Sequence, residues 1–433
     1  MIRQFDLRSS SRRAGLPKNF LHDRDSSSES VEQAVRAILH RVQRDGDHAL
    51  RYYEKKFSGV RLASIKIPEK EIRSALKNAN PKFVAILKKA AANIRRFHLH
   101  QRRSSWKIRE QFNSDLRQLY LPIERVGVYV PGGRAAYPST VLMNVIPAQV
   151  AGVKEIHLVS PPDKNGKVNS DVLLAAAILN VRNVYCAGGA QAIAALAFGT
   201  EAIPAVDKIV GPGNIFVATA KRLVFGIVGI DSFAGPSEVV ILADDSARTE
   251  FIASDMIAQA EHDERASSIL VTTSGSSASH VEAEIQKIVR FLPRRKIIET
   301  SLKQHGAIIL VRSLTQGVEI VNLLAPEHLE IVTKNQEQTL KMIKHAGSIF
   351  LGNYSPVALG DYFAGTNHVL PTGRTARFSS PLSVDDFVKK SSVTNYSKKK
   401  MNSVSEDIAY FAEREGLTAH AFSLRLRGKN DRT

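Results

Sequence analysis

The sequence predicts an α/β protein: two open, mainly parallel α/β units, each an incomplete Rossmann-like fold, between a helical N-terminal region and a helical C-terminal tail. The chain has 433 residues, which corresponds to roughly two or three domains. Its composition, with 43% hydrophobic and 24% charged residues, is that of a soluble globular protein and excludes wholesale disorder. From Glu124 onward, short β-branched runs alternate with helical segments, and this alternation requires a parallel sheet with right-handed crossovers.

The N-terminal region, residues 1–122, is predicted to be mainly helical. The segment SVEQAVRAILHRVQRDGDHALRYYEKKF carries apolar residues at spacings of three and four, which is typical of an amphipathic helix. A second helical period runs from Phe83 through Leu87 and Ala90 to Ile94. Both helices are expected to pack one apolar face on a core.

Two α/β units are predicted next, over residues 123–236 and 237–381. Their strands are RVGVYV, KEIHLVS, NVYCAG, DKIVG, EVVILA, SSILVTT, AIILV and SIFLG. Eight strands suit two open sheets better than one. Gly235 and Pro236 interrupt the alternation directly before EVVILA, so the break between the units is placed there.

The C-terminal tail, residues 382–433, has little apolar sequence of its own. The segment KKKMNSVSEDIAYFAEREGLTAHAFSLRLR is predicted to be a polar linker followed by a helix. Because such a tail cannot build a core, it is expected to pack on another surface.

The charge balance is unusual, with 60 Lys and Arg against 42 Asp and Glu, a net +18. Polyanions therefore become plausible partners. Residues 82–109 hold nine basic and no acidic residues. Because the helical period runs through this segment and no known nucleic-acid module accompanies it, a solvated helix face is favoured over a nucleic-acid partner.

Cellular location is predicted from cysteine usage and hydropathy. Cys186 is the single cysteine, so no intramolecular disulfide can form. The N-terminus MIRQFDLRSSSRRAGLPKNF lacks the apolar core of a signal peptide, and no run approaches the 18 apolar residues of a membrane span. A reducing cytoplasm is therefore expected.

Three glycine turns follow predicted strands: Pro131-Gly132-Gly133, Gly188-Gly189 and Gly211-Pro212-Gly213-Asn214. The dinucleotide fingerprint G-x-G-x-x-G is missing. Ligands of open α/β sheets nevertheless bind at the carboxyl ends of strands, where helix N-termini point their amides at phosphate. The turns therefore suit either a nucleotide or ordinary strand-to-helix connections, and the pattern leaves both open.

Two short patterns suggest chemistry. Gln259 and His262 lie three apart on a predicted helix and so project from one face, which suits either a two-ligand metal platform or a plain surface feature. Glu327 and His328 stand together after a proline turn and before a β-branched run. An acid and an imidazole at a strand start suit general base catalysis, although such a dipeptide is also a common structural feature.

The loop SPVALGDYFAGTNHVLPTGRTARFSSP is glycine-rich yet concentrates Asp361, His368, Arg374 and Arg377. Such a loop can offer a carboxylate and an imidazole to a metal or a substrate. In the tail, Glu415 and His420 lie five residues apart, a spacing that alone indicates little.

These stretches together resemble the histidinol dehydrogenase family over nearly the whole length. The similar segments are ERVGVYVPGG, GGAQAIAALAFGT, VDKIVGPGN, GIDSFAGPSE, QAEHDERA, LAPEHLE, GDYFAGTNHVLPT and SSPLSVDDF. The resemblance implies an NAD-dependent homodimer with one zinc ion per subunit. It also implies the oxidation of L-histidinol to L-histidine through L-histidinal, by two hydride transfers that end histidine biosynthesis.

The resemblance also implies the site residues. His328 would be the base for alcohol oxidation, and Glu327 would activate water for aldehyde oxidation. The residues implied for the ligands are, for zinc, Gln259, His262, Asp361 and His420, the last from the partner's tail; for the substrate, Ser237, His368 and Glu415 together with His328 and the four zinc ligands; and for NAD, on the first α/β unit, Tyr129, Gln191 and Asn214.

Two other classes remain as alternatives: a zinc hydrolase, in which the metal activates water, and a basic nucleic-acid-binding protein. A thiohemiacetal at Cys186 is set aside because no histidine is near it in sequence. The sequence departs from the family pattern at Phe216, where tyrosine is frequent, and in its basic charge.

Overall fold

The computed structural model describes residues 2–9, 29–132, 137–232 and 235–428. The chain divides into two compact units, of which the first comprises Met1–Gln101 and Glu124–Phe387 and the second comprises Arg102–Ile123 and Val388–Thr433. In the described parts of the chain, no helix is both long enough and apolar enough to cross a membrane.

The elements alternate as the sequence predicts over most of the chain. The helices are α1 (Glu29–Ser58), α2 (Glu69–Asn78), α3 (Pro81–Leu99), α4 (Pro138–Ala151), α5 (Ser170–Ile178), α6 (Gly189–Phe198), α7 (Ile215–Val224), α8 (Thr249–Ala260), α9 (Gly275–Val289), α10 (Arg295–His305), α11 (Leu314–Leu324), α12 (Gln336–Leu340), α13 (Val357–Tyr362), α14 (Lys398–Arg414) and α15 (Thr418–Gly428). The strands are β1 (Arg3–Asp6), β2 (Trp106–Arg109), β3 (Asp115–Pro122), β4 (Arg125–Tyr129), β5 (Glu155–Ser160), β6 (Asn183–Cys186), β7 (Lys208–Val210), β8 (Gly229–Ile230), β9 (Glu238–Ala243), β10 (Ser267–Thr272), β11 (Ala307–Leu310), β12 (His328–Val332), β13 (Ser348–Leu351) and β14 (Val388–Asn395).

The first unit holds two parallel sheets. The first sheet has the order β6-β5-β4-β7-β8 and the second the order β1-β11-β10-β9-β12-β13. Strands such as β9 and β10 are buried along their whole length, because helices cover both faces of a parallel sheet. All eight predicted strands are present, and the predicted fold class is confirmed.

The second sheet carries an apolar cluster on each face. One cluster joins Val239 and Ile241 to Met256 of α8, and the other joins Val240 and Leu242 to Val321 of α11. Alternate residues of β9 therefore point to opposite faces. This packing fixes the start of β9 beside the start of β12, with Val239 in register with His328.

The second unit contains an antiparallel sheet, β14-β3-β2, which the sequence analysis did not predict. β2 and β14 are mostly exposed and β3 is mostly half-buried, so these strands lack the continuous apolar run that marks a fully buried strand. They are stabilised by pairing between distant segments, since Val388 lies opposite Pro122 and Asn395 opposite Asp115.

The tail differs from its prediction in a second respect, besides the strand β14 at Val388–Asn395. Its first part is helix α14 rather than a polar linker, and the Ser397 side chain caps it by accepting the Lys400 N–H. Gly416, at φ +76°, ends this helix and separates it from α15, since a left-handed residue is the usual stop of a helix.

The N-terminal region is helical, as predicted, but it also contributes strands. β1 pairs in parallel with β11 of the second sheet. The predicted regional boundaries at 122, 236 and 381 stay predictions.

Candidate active site

The start of β12 lies beside the start of β9 at the amino-terminal edge of the second sheet. Helix α11 ends at Ala325, whose φ of +45° turns the chain. Pro326 follows, and Glu327 and His328 therefore reach the sheet at this edge. Ser237 directly precedes Glu238, the first residue of β9, so it stands at the same edge.

Glu327 and Glu238 are joined by reciprocal hydrogen bonds. The Glu238 N–H donates to Glu327 Oε2 at 2.9 Å, and the Glu327 N–H donates to Glu238 Oε1 at 3.3 Å. Burial raises the pKa of Glu327 well above its usual value, and the carboxylates of Glu238 and Asp361 add to the effect. A carboxylate in this environment accepts a proton far more readily than one in water.

His328 is held as a neutral base. Its Nδ1 lies 3.0 Å from the Glu238 carbonyl oxygen, and because a carbonyl can only accept, Nδ1 carries the proton. Nε2 then bears the lone pair; it is buried, has no hydrogen-bond partner in the described part of the chain, and lies 3.9 Å from Asp361 Oδ1. Burial lowers the pKa of His328 to about 4, so the ring is neutral near pH 7.

Gln259 and His262 lie at the end of α8, as their spacing predicts. The Gln259 side chain is buried, and its terminal Nε2 position has no hydrogen-bond partner among the described residues. Because the two ends of an amide have the same shape, this position suits the carbonyl oxygen facing a cation equally well. The His262 ring keeps a solvent-exposed face, yet the surrounding protein desolvates it and lowers its pKa.

Asp361 and His368 come from α13 and the loop that follows it. His368 Nδ1 donates to the Asp361 carbonyl oxygen at 3.1 Å. Burial raises the pKa of Asp361 to about 7 and lowers that of His368 to about 4. Beyond the effect of burial, the charges of His262 and His368 each lower the pKa of His328, which places the three imidazoles close together.

The structure thus brings Gln259, His262, Glu327, His328, Asp361 and His368 to one edge. Glu415 caps the end of α14 and His420 lies in the first turn of α15; both are exposed in the second unit. Over residues 2–9, 29–132, 137–232 and 235–428, no three His, Cys, Asp or Glu side chains are grouped closely enough to hold a metal ion. One amide, one imidazole and one carboxylate fit a zinc ion in chemistry, but they leave a coordination position for a further ligand.

The predicted glycine turns do lie at carboxyl ends of strands, and two of their amides are bonded to carboxylates. The Gly188 N–H donates to Glu54 Oε1 at 2.8 Å, and the Gly211 N–H donates to Asp231 Oδ2 at 2.7 Å. Carboxylates of the same chain already accept the hydrogen bonds of these two amides, which favours ordinary strand-to-helix connections at Gly188 and Gly211; a nucleotide at this edge stays a prediction. Gly133 lies outside the described residues.

Tyr129, Gln191 and Asn214 surround this edge of the first sheet. The Tyr129 hydroxyl accepts the Gly189 N–H at 3.1 Å, and Gln191 Nε2 donates to Glu54 Oε1 at 2.9 Å. Asn214 Oδ1 caps α7. Gln191 Oε1 is buried without a partner among the described residues, so it is the polar atom at this edge that can still accept a hydrogen bond from a ligand.

Two other residues considered from the sequence, Arg377 and Cys186, do not serve as ligands or nucleophiles. Arg377 donates to the carbonyls of Asn322 and Leu323 at 2.8 and 2.7 Å, so it caps the end of α11 and is not free to bind substrate. Cys186 is buried, and burial raises its pKa to about 12. Such a thiol is a poor nucleophile.

The basic segment 82–109 begins in α3, which buries Leu87, Ala90 and Ile94 and leaves Lys88 and Lys89 exposed. The helical period predicted for this segment is confirmed.

Three acids near the site were not predicted from the sequence: Glu238, Asp255 and Glu330. Glu238 is the first residue of β9, Asp255 lies one turn before Gln259 on α8, and Glu330 lies two residues after His328 on β12. For Glu238 and Glu330, an acidic letter inside the runs EVVILA and HLEIV was the available signal, because a charge is rarely buried in a strand without a function or a partner.

The chain is similar to known proteins over most of its length. The family model described as histidinol dehydrogenase matches residues 21–428. Curated histidinol dehydrogenases of Oceanobacillus iheyensis and Bacillus subtilis are each 50% identical, over 404 and 403 residues, which is 93% of this chain in both cases and 95% and 94% of the relatives. The crystal structure of histidinol dehydrogenase from Elizabethkingia anophelis is similar with a TM-score of 0.91 and 36% identity, over 98% of both chains.

Proposed function

Because the chain belongs to the histidinol dehydrogenase family, we propose that it oxidises L-histidinol to L-histidine through L-histidinal, with NAD as the hydride acceptor in both steps. The resemblance read from the sequence, and the prediction of an enzyme, are confirmed by this membership. The observation that carries the proposal is the buried pair of Glu327 and His328 at the same sheet edge as Gln259, whose Nε2 position has no hydrogen-bond partner among the described residues. The reaction would complete histidine biosynthesis.

Zinc would be held by Gln259, His262 and Asp361, with His420 of the partner subunit completing the set. The first three lie at one edge of the second sheet, and the buried Gln259 amide has no described partner, which supports this assignment. When bound, zinc supplies a template for the substrate's imidazole and amine nitrogens, both of which are good ligands for it.

His328 would accept the hydroxyl proton as hydride leaves the substrate carbon. Its Nε2 carries the lone pair because Nδ1 donates to the Glu238 carbonyl at 3.0 Å. The same bond holds the ring in one orientation, so the base does not need to reorganise when it reacts.

Glu327 would take a proton from the water that adds to L-histidinal. Its carboxyl is fixed by the Glu238 N–H at 2.9 Å, and its raised pKa makes it a stronger base than an exposed glutamate. The hydrated aldehyde then has a C–H bond that can give up the second hydride.

Substrate contacts would also come from Ser237, His368 and Glu415. Ser237 stands beside Glu238, and His368 is anchored on Asp361. A reactive aldehyde that must stay bound between two oxidations needs several such contacts. The cofactor would contact Tyr129, Gln191 and Asn214, of which Gln191 keeps a free buried acceptor.

A homodimer with shared sites is supported by the apolar surface of the tail. Phe411, Phe422 and Leu426 on α14 and α15 are 66%, 68% and 60% exposed. Large exposed apolar side chains in one patch mark a protein interface. A second copy of the chain would cover this surface and receive His420 and Glu415 in its own site.

The single cysteine supports a reducing cytoplasm.

The test measures NADH at 340 nm with purified, zinc-loaded protein, NAD and L-histidinol. We expect two NADH for each L-histidinol consumed, and L-histidine as the product. His328→Asn should abolish the signal, whereas Asp244→Asn, at the opposite end of β9, should retain it. No NADH from the unmodified chain would refute the proposal, and would leave a zinc hydrolase as the alternative to test.

A further inference from the structure

A buried acid, Glu330, stands two residues after His328 on β12. The side chain is 3% exposed, and its strand neighbours in register are Ile241 of β9 and Phe350 of β13. A carboxyl among apolar neighbours lowers stability unless it is hydrogen-bonded. The function proposed above gives Glu330 no role.

Glu330 makes two hydrogen bonds, to two different helices. Its Oε1 accepts the Val357 N–H at 3.1 Å, at the first residue of α13. Its carboxyl is also hydrogen-bonded to that of Asp255 on α8. The Glu330 side chain therefore joins β12 to α8 and α13.

Each contact lies one helical turn from a residue of the site. Asp255 precedes Gln259 by four residues on α8, and Val357 precedes Asp361 by four residues on α13. On the strand, His328 and Glu330 are two apart and so share one face of the sheet. A change at Glu330 is therefore transmitted to both helices over a single turn.

Two carboxyl groups in hydrogen-bond contact cannot both be ionised, so they share one proton. Burial raises the pKa of Glu330 well above its usual value and that of Asp255 to about 6. Because Glu330 is the more buried of the two, we expect the proton to stay on Glu330 and to be donated to the Asp255 carboxylate. The pair would then carry one negative charge and one bridging proton.

We propose that Asp255 and Glu330 are positioning residues, whose hydrogen-bonded carboxyl pair fixes α8 and α13 against β12 so that Gln259 and Asp361 face the same ion. The inference rests on the metal site of the proposed function. It adds that this site depends on a proton held between two acids that touch neither the metal nor the substrate.

Glutamine at position 330 separates this role from simple packing. Its amide nitrogen can donate to Asp255, and its oxygen can accept the Val357 N–H. Because protonated glutamate and glutamine offer the same donor and acceptor, Glu330→Gln should be tolerated. Glu330→Ala removes both bonds and leaves a cavity. Asp244→Ala is a matched control, since Asp244 is also an acid with little exposure, 9%, and accepts backbone N–H groups of Ser246 and Lys334 at the opposite edge of the same sheet.

Zinc affinity is measured on the full chain by competition with a chromophoric chelator. Hydrogen exchange of peptides covering α13 is followed in parallel without zinc. We expect Glu330→Ala to weaken zinc binding by about 10- to 100-fold, as for other residues that orient metal ligands, and to speed exchange in α13. Glu330→Gln and Asp244→Ala should match the parent in both measurements.

Each other result decides against a stated claim. Parent-like zinc affinity in Glu330→Ala, with the parent itself binding zinc, would overturn the inference and leave the proposed function standing. Zinc binding as weak in Glu330→Gln as in Glu330→Ala would overturn the shared proton. A parent chain that binds no zinc would overturn both the proposed function and the positioning role. If Glu330→Ala fails to fold, Asp255→Ala, which removes only the bond to α8, takes its place, and parent-like zinc affinity in that variant would overturn the inference.

Discussion

Replacing Glu327 with glutamine should separate the two oxidations. The substitution keeps the size of the side chain and an oxygen that can accept the Glu238 N–H. In the parent chain this N–H lies 2.9 Å from Glu327 Oε2. The change removes the capacity to take a proton from water. It also removes a buried charge whose neighbours include the carboxylates of Glu238 and Asp361, so the free energy of unfolding should not fall.

The size of the effect follows from the role. A positioned general base contributes about 10²- to 10⁴-fold to rate, or roughly 3 to 5 kcal/mol of activation free energy. Oxidation of L-histidinal by NAD needs activated water and should lose this whole factor. Reduction of L-histidinal by NADH, the reverse of the first step, needs no water and should fall less than about tenfold.

Both reactions are followed at 340 nm with L-histidinal as substrate, with NAD in one assay and NADH in the other. His328→Asn is the matched control, because loss of the base at the alcohol oxygen should slow the reduction of L-histidinal by NADH, the reaction that Glu327→Gln should largely spare. If Glu327→Gln lowers the two rates by the same factor, or leaves aldehyde oxidation within about tenfold of the parent, the assignment of water activation to Glu327 is wrong.

Three further predictions concern the metal, the cysteine and a buried acid outside the site. Asp361→Ala and His420→Ala should each lose bound zinc, measured by metal analysis, and mixing the two variants should rebuild one complete site per mixed dimer; unchanged zinc content, or no recovery on mixing, would contradict the shared site. Cys186, with its pKa raised to about 12, should resist a thiol-specific chromogenic disulfide at pH 8 and react once in denaturant; stoichiometric labelling of the folded protein would contradict its burial. Burial also raises the pKa of Glu54 above its ordinary 4.5, so its contribution to stability is present below that value and is lost as pH rises through the folded-state pKa. Glu54→Gln should therefore gain unfolding free energy relative to the parent as the pH of urea titrations rises above the ordinary glutamate pKa of 4.5, and a constant difference would show that the pKa is not raised.

The parallel sheets could be predicted from the sequence, because strands that are buried on both faces consist of continuous β-branched and apolar residues. β9 and β10 are buried at every residue. The antiparallel sheet could not be found in this way. β14 is mostly polar and exposed, and its pairing with β3 joins segments more than 250 residues apart, a contact that no local pattern records.

The site was predictable where its residues are neighbours along the chain. Glu327 with His328, and Gln259 with His262, were visible as pairs because a strand start and a helix end keep them together. The hydrogen bond between Glu238 and Glu327 joins the starts of β9 and β12, which are 89 residues apart in the sequence. No local spacing of residues indicates such a bond. The hydrogen bonds of the glycine turns could not be predicted for the same reason, since Glu54, which accepts the Gly188 N–H, lies 134 residues away in the sequence.

The location of the metal tests the central claim most directly. Crystals of the zinc-loaded protein with L-histidinol, measured across the zinc absorption edge, should show one anomalous peak per subunit. The peak should lie about 2.0 to 2.2 Å from ligand atoms of Gln259, His262 and Asp361 and from His420 of the partner subunit. The claim would be contradicted if no anomalous peak appeared at this edge of the second sheet, or if the zinc ion were bound by other residues.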